Sequence, residues 1–215
     1  MIVLASSSPR RSALLQQIGV AHRVIPAQID ERRYAGESVE ACVRRLAEQK
    51  ARYVQGLIAA TEPVLGADTA VVLDEQMLGK PADRTEALSM LERLSGRTHA
   101  VLSAVAVAAG AALYTALSRT EVRFRTLTLA ERQAYWDSGE PCDKAGAYAI
   151  QGLGALFIEE LRGSYSGVMG LPLFETAGLL ARVGVPLPLP GAAVSAAVAV
   201  PVAVPLPVTE GAAGQ

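Results

Sequence analysis

An aspartate stands in the middle of an otherwise apolar run, Val64-Leu65-Gly66-Ala67-Asp68-Thr69-Ala70-Val71-Val72-Leu73. The run reads as a strand, and Asp is among the residues most depleted from strand interiors. Burying its charge unpaired costs several kcal/mol or shifts its pKa. On a period of two, Asp68 shares a face with Val64, Gly66, Ala70 and Val72. Gly66 and Ala70 are small and leave room for something to approach the carboxylate. The competing reading is a strand-end aspartate that caps a turn.

Short apolar segments and capped helical patterns alternate around this strand. Val3-Leu4-Ala5 predicts a strand, followed by a helix with Ser8 as N-cap, Pro9 at its first position and Gly19 at its end. Leu14, Leu15 and Ile18 form its apolar face. Arg23 to Pro26 predicts a second strand. A long helix follows over roughly residues 39–58, with the stripe Val39, Val43, Leu46, Ala47, Val54 and Leu57, and Lys50 falls on that stripe. Asp74-Glu75-Gln76 turns the central strand back along Met77-Leu78. Asp83 with Glu86, and Thr128 with Glu131, read as capping boxes. The first opens a helix with Ala87, Leu88, Leu91 and Leu94 inward. Residues 98–108 and 112–117 predict a strand pair. Residues 120–126 alternate, with Val122 and Phe124 opposite Arg123 and Arg125, and predict an amphipathic strand.

Asp143 to Gly154 is glycine-rich, and such a segment wraps a ligand more readily than it fills a core. Its Gly152-Leu153-Gly154 lacks the third glycine and the strand-turn-helix setting of a dinucleotide fingerprint. Residues 155–161 predict a strand. Gly170-Leu171-Pro172 starts a last helix that buries Phe174, Leu179, Leu180 and Val183 and stops at Gly184. From Val185 onward Pro, Ala, Val and Gly dominate, and recurrent prolines forbid a helix or a central strand. Residues 185–215 are therefore expected to be a disordered low-complexity tail beyond a folded unit at 1–184.

At 215 residues, with 51% hydrophobic and 19% charged residues, the chain is globular and long enough to bury a real core. A formal net charge of -1 gives no electrostatic case for nucleic acid or an anionic membrane surface as the main partner. Cys42 and Cys142 lie far apart without metal-site spacing, which suits a reducing compartment. Met1 to Ala5 is too short for a signal-peptide core, and no run of about eighteen apolar residues exists. A cytoplasmic protein with no membrane partner is expected.

Several basic residues occupy unfavourable positions. Ser6, Ser8, Arg10 and Arg11 stand at a helix start, where free N–H groups and the dipole attract an anion. Arginines there oppose the dipole unless a phosphate neutralises them; the plain alternative is a solvated helix start. Lys50 on a buried stripe either snorkels at its edge or points into a cleft. Lys80 follows a hairpin, in a Gly79-Lys80 pair that is not a P-loop. Lys144 lies in the glycine-rich loop, and Glu31 and Asp68 are carboxylates in equally unusual places. Cations converging on one cleft suit a polyphosphate, and a carboxylate among them suits a divalent metal or the activation of water. His22 and His99 have no motif around them. Phosphoanhydride hydrolysis is the reaction class that fits.

Ala5-Ser6-Ser7-Ser8-Pro9-Arg10-Arg11, Gly66-Ala67-Asp68-Thr69, Gly79-Lys80-Pro81, Leu94-Ser95-Gly96-Arg97-Thr98-His99, Asp143-Lys144-Ala145-Gly146-Ala147-Tyr148 and Gly170-Leu171-Pro172-Leu173 resemble, in this order, the Maf family of nucleoside triphosphate pyrophosphatases. The resemblance covers about residues 2–184. It implies an α/β fold with an elongated mixed β-sheet flanked by helices, and two lobes around a deep cleft. It implies hydrolysis of a nucleoside triphosphate to the monophosphate and pyrophosphate with a divalent cation, Mg²⁺ or Mn²⁺. Asp68 takes the place of the family's proton acceptor, and Glu31 that of an acidic residue that helps hold the metal. Arg10, Lys50 and Lys80 match phosphate-binding positions, which Ser6, Ser8, Arg11 and Lys144 extend.

The resemblance also implies a substrate: the branch similar to this chain, with Arg10, Thr69 and Gln151 at the specificity positions, acts on dTTP and UTP. A sister branch acting on 7-methyl-GTP carries a carboxylate near Gln151. A glutamine amide offers a donor and an acceptor to N3–H and O4 of uracil or thymine, whereas a carboxylate suits the cationic 7-methylguanine ring. The family is also associated with arrest of cell division and septum formation, so a nucleotide-binding regulator is the second reading. A homodimer is compatible with either.

Overall fold

The computed structural model describes residues 1–58 and 61–188. Strand β1 (Ile2–Leu4) runs parallel to β2 (His22–Val24) on one side and to β3 (Val64–Leu73) on the other. Strand β4 (Gln76–Leu78) folds back antiparallel on the far end of β3. Antiparallel β5 (Thr98–Ala109), β6 (Ala112–Phe124) and β7 (Ile158–Arg162) complete a seven-stranded mixed sheet of order β2-β1-β3-β5-β6-β7, with β4 off that path. The α/β class and the mixed sheet expected from sequence are therefore present.

The two edges of β3 differ. On one side β5 pairs with it from Val64 to Val72. On the other, β1 reaches only Val64 and Leu65, and β4 only Val71 to Leu73. Gly66 to Ala70 thus have no strand partner on that edge among the described residues. Asp68 and Thr69 sit in this gap, on opposite faces of the strand, and the gap lets one cavity reach both.

Helix α1 (Pro9–Gln17) links β1 to β2, and α2 (Val39–Leu57) lies on the Asp68 face of the sheet. Val39, Val43, Ala47 and Ala51 of α2 pack on Ala70, Leu102, Ala104, Ala106 and Ala108. This contact corrects the reason given above for the small residue at position 66. A Cβ on Gly66 would lie 2.2 Å from the Ala47 carbonyl oxygen and 2.7 Å from the Ala51 nitrogen. The glycine admits the helix backbone rather than a ligand, and that close approach brings Lys50 to Asp68.

Helices α3 (Arg84–Leu94) and α4 (Leu129–Asp137) cover the other end of the sheet, and α5 (Tyr165–Met169) and α6 (Leu173–Arg182) follow β7. Thr128 and Glu131 form a complete capping box. Asp83 accepts from the Glu86 N–H, but the Glu86 carboxylate turns to the Ala82 N–H, so this box has one arm only. Ser8 occupies the N-cap position of α1 without a capping side-chain bond.

Several local expectations change. The two segments at 112–117 and 120–126 are one continuous strand, β6. The start of the segment predicted as a strand at 155–161 is a 3-10 turn over Leu153–Phe157, and β7 begins only at Ile158. Met90 is buried in α3 while Leu88 is only half-buried, because the period through Ala87, Leu91 and Leu94 passes through Met90. Leu57 and Phe174, each in a terminal turn of its helix, are exposed, and Val183 is only half-buried. Val185 and Leu187, inside the expected tail, pack on the cluster of Leu14, Leu15, Leu179 and Leu180. The rest of that tail, 189–215, lies outside the described residues. No described helix is long and apolar enough to cross a membrane.

Candidate active site

Every residue singled out from sequence lines one cavity of about 510 Å³ at the gap in β3: Ser6, Ser8, Arg10, Arg11, Glu31, Lys50, Asp68, Thr69, Lys80, Lys144 and Gln151. At its centre the Lys50 ammonium, carried by α2 and nearly buried, lies 2.7 Å from Asp68 Oδ1 and 2.7 Å from Glu31 Oε1. Snorkelling is thereby replaced by a three-group ionic cluster. Asp68 Oδ2 makes no hydrogen bond or ion pair among the described residues, which leaves one carboxylate oxygen for a water or a cation.

Glu31 comes from an exposed loop, and that loop is tied to α2. Arg45 pairs with Glu37 at 2.7 Å, donates to the Arg32 carbonyl at 3.0 Å and stacks on Tyr34 with its guanidinium carbon 3.9 Å from the ring centroid. Arg45 was not singled out from sequence. It reads there as one more helix-surface arginine, and only the fold shows that it anchors Glu31.

The two arginines of α1 part company. Arg11 turns inward and donates to the Gly170 carbonyl at 2.8 Å, Ser6 Oγ at 3.1 Å and Thr69 Oγ1 at 3.4 Å. Burial lowers its pKa, an effect opposed by the charge of Asp68. Thr69 is further held 3.0 Å from Ser103 Oγ, which donates to the Gly167 carbonyl at 2.6 Å. Arg10 instead faces Asp143 at 3.5 Å, and Asp143 also contacts Lys144. Arg10, Thr69 and Gln151, the specificity positions expected from sequence, all line the cavity, and the arginine in hydrogen-bond contact with Thr69 is Arg11. Asp143 is a cleft residue that sequence reasoning passed over. Its place at the head of the glycine-rich segment, next to Lys144, was the available signal.

Lys80 follows β4, and the Gly146 N–H donates to the neighbouring Gly79 carbonyl at 2.9 Å. This bond ties the 143–147 loop to the β4 end and brings Lys80 and Lys144 to one cavity wall. Gly146 has φ +69°, and a Cβ there would lie 3.0 Å from Val71, so the close seating of the loop on β3 demands glycine. Tyr148, at the end of this loop, lies 2.8 Å from His99 Nε2, with both rings edge-on to Phe124.

Burial pushes His99 down to about 4, so the folded protein holds it neutral while an unfolded chain protonates it near pH 6.5. Its contribution to stability is complete above about pH 6.5 and declines as pH falls toward 4, by up to about 1.4 kcal/mol per pH unit. Urea midpoints measured from pH 7.5 to 4.5 should fall more steeply for the native protein than for His99→Asn. Parallel curves would contradict a neutral buried imidazole.

Glu31 and Asp68 meet at one ammonium, which puts two carboxylates side by side on the cavity wall. Two carboxylates fit Mg²⁺, which keeps waters and takes remaining ligands from substrate phosphates rather than from a protein cage. No group of three His, Cys, Asp or Glu side chains forms a metal cage among the described residues.

Residues 1–183 match the family described as Maf-like protein. A dTTP/UTP pyrophosphatase of Methylococcus capsulatus is 53% identical over 184 residues, covering 86% of this chain and 91% of that protein. A dTTP/UTP pyrophosphatase of Bordetella avium is 52% identical over 197 residues, covering 87% and 97%. A solved nucleoside-triphosphatase / dITP/XTP pyrophosphatase from Mycobacterium abscessus covers 64% of this chain and 94% of its own, at 18% identity and a TM-score of 0.37. That likeness is too distant to bear on the argument.

Proposed function

This chain belongs to the Maf family and is a hydrolase of nucleotide anhydrides, and we propose that it cleaves dTTP and UTP to the monophosphate and pyrophosphate. The observation that carries the reading is the meeting of five cationic side chains and three carboxylates, Glu31, Asp68 and Asp143, at one gap in β3. Its relatives at about half identity, named dTTP/UTP pyrophosphatases, support the substrate class. Gln151, a neutral amide on the cavity wall, suits a pyrimidine edge with one donor and one acceptor. The 7-methyl-GTP alternative has no carboxylate at that position to favour it.

In this reading Asp68 Oδ2 takes a proton from a water as the water oxygen attacks the α-phosphorus. The bond from that phosphorus to the bridging oxygen of the β-phosphate breaks, and pyrophosphate leaves. Lys50 orients Asp68 through Oδ1. Lys80, Lys144 and Arg10 offset charge on the departing pyrophosphate, with the helix start at Ser6 and Ser8 beside them. Arg11 and Thr69 form the second polar wall for the nucleoside. Glu31 and Asp68 would hold a divalent cation, Mg²⁺ or Mn²⁺, which when bound neutralises phosphoryl oxygens. The elements on either side of the gap act as two lobes that enclose the triphosphate. Near-zero net charge keeps a nucleic-acid backbone and a membrane surface out of the partner list.

A panel of nucleoside triphosphates with Mg²⁺ or Mn²⁺, read by pyrophosphate release, tests this. UTP and dTTP should exceed CTP, GTP and 7-methyl-GTP in kcat/KM by at least about tenfold, the size of one hydrogen-bond mismatch. Fastest turnover of 7-methyl-GTP would overturn the substrate assignment.

A further inference from the structure

We propose that Glu140 and Tyr135 are specificity-positioning residues, a carboxylate–phenol clamp that fixes the loop carrying Gln151 from outside the cavity. The inference rests on the reading of Gln151 as the residue that faces the base. Neither Glu140 nor Tyr135 lines the cavity.

The clamp grips the loop on both flanks of Gln151. The Tyr135 hydroxyl, on α4, accepts from the Ala149 N–H at 3.0 Å and donates to Glu140 Oε1 at 2.7 Å. Glu140 Oε2 accepts from the Leu153 N–H at 2.8 Å, and Oε1 accepts from the Gly154 N–H at 3.1 Å. One buried phenol and one half-buried carboxylate therefore satisfy backbone donors two residues before and two and three residues after Gln151.

Two glycines that the sequence left without a purpose become explicable. A Cβ on Gly152 would stand 2.1 Å from Glu140 Oε2, and one on Gly154 would stand 2.7 Å from the Tyr135 hydroxyl and 2.6 Å from the Ala149 carbonyl oxygen. Gly152-Leu153-Gly154 is the backbone around which the clamp closes. Burial acts to raise the Glu140 carboxyl, but the Tyr135 hydroxyl and the two N–H bonds outweigh it and hold the group below its ordinary range. The carboxylate form, which can only accept, is the form the three donors require. A glutamine at this position would turn an NH₂ group toward one of them.

Anchoring a loop is a structural role, and anchoring a residue that reads the base is a selective one. Reading a pyrimidine edge by one amide needs its backbone origin fixed to a fraction of an ångström, so loosening the clamp should cost discrimination before it costs phosphate binding.

The test is the UTP-to-CTP ratio of kcat/KM in the native protein, Gln151→Ala, Glu140→Gln, Tyr135→Phe and the double variant Glu140→Gln/Gln151→Ala. The inhibition constant of inorganic tripolyphosphate reports on the phosphate half of the site. Gln151→Ala, Glu140→Gln and Tyr135→Phe should each lower the ratio about tenfold, the scale of one hydrogen bond, with tripolyphosphate inhibition unchanged. The double variant should be no less selective than Gln151→Ala, because the clamp acts through Gln151. A lower ratio in Gln151→Ala with native ratios in both clamp variants overturns the clamp and leaves the base reading standing. A native ratio in Gln151→Ala removes the base reading, and the clamp's role with it. Equal loss of tripolyphosphate inhibition and selectivity marks a general structural role and also overturns the inference. Should Glu140→Gln not fold, amide exchange at Ala149, the N–H that the Tyr135 hydroxyl accepts, decides in Tyr135→Phe. Native protection there would overturn the clamp, and accelerated exchange alongside the lower ratio would support it.

Discussion

Asp68→Asn is expected to lower kcat for UTP by about 10²- to 10⁴-fold, the range over which a positioned general base contributes, while KM changes little. The asparagine oxygen still accepts from Lys50, so the ammonium keeps both of its contacts, to residue 68 and to Glu31. What changes is the second atom of the carboxylate. Oδ2, the oxygen without a protein partner, becomes an NH₂ group that cannot take a proton from water. Loss in kcat with preserved substrate affinity is the signature of an interaction made only in the transition state. Calorimetric titration with UTP should accordingly give a dissociation constant within a few-fold of the native value. An Asp68→Asn protein with native kcat would end the general-base assignment. The same variant separates the enzyme from the regulator: a division phenotype that persists without turnover would show that nucleotide binding is sufficient for it.

Gly66→Ala should destabilise the protein by about 3 kcal/mol, the cost of a serious core clash, and remove activity as well. The new methyl would stand 2.2 Å from the Ala47 carbonyl oxygen and 2.7 Å from the Ala51 nitrogen. Both are backbone atoms in the middle of α2, so no side-chain rotation relieves the contact. Helix and strand must separate, and separation moves Lys50 away from Asp68. Gly56→Ala on the same helix is the control, because nothing lies within 4 Å of a Cβ there; helix propensity makes that change stabilising by up to about 1 kcal/mol. Urea midpoints and kcat/KM for UTP read both effects. Native stability in Gly66→Ala would mean that α2 and β3 are not in the contact described, and that another element sets the Lys50–Asp68 distance.

Much of the architecture was legible because it is local. Thr128 and Glu131 announce a helix start by chemistry that operates within four residues, and α2 shows its buried face through a repeat that any reader can count. The two arginines at the positive end of α1 stood out as well, and both line the cavity. The places where this reasoning failed share one cause. Gly66 looks in sequence like room for a ligand, and it turns out to be a close approach by the backbone of α2; Gly152 and Gly154 carried no reading in sequence, and they make room for Glu140 and Tyr135. Arg10 and Arg11 are adjacent and chemically identical. Which of them meets Thr69 depends on the rotation of α1 relative to β3 and on where Gly170 lies, and no local pattern encodes either.

The sequence by itself therefore determined the inventory: a strand that carries a carboxylate, a lysine on a helix stripe, cations at a helix start and in two loops, and a neutral amide at the end of a glycine-rich segment. Propensity, periodicity and charge are short-range, and they suffice to say that these groups stand in unfavourable places. The tertiary structure alone decided how they meet. Strand β1 stops at Leu65 and β4 begins at Val71 in their pairing with β3, and the opening between them is a property of register among three strands. Backbone pairing that ends early leaves an edge unfilled, and that edge is where Asp68, Thr69 and the cations reach one cavity.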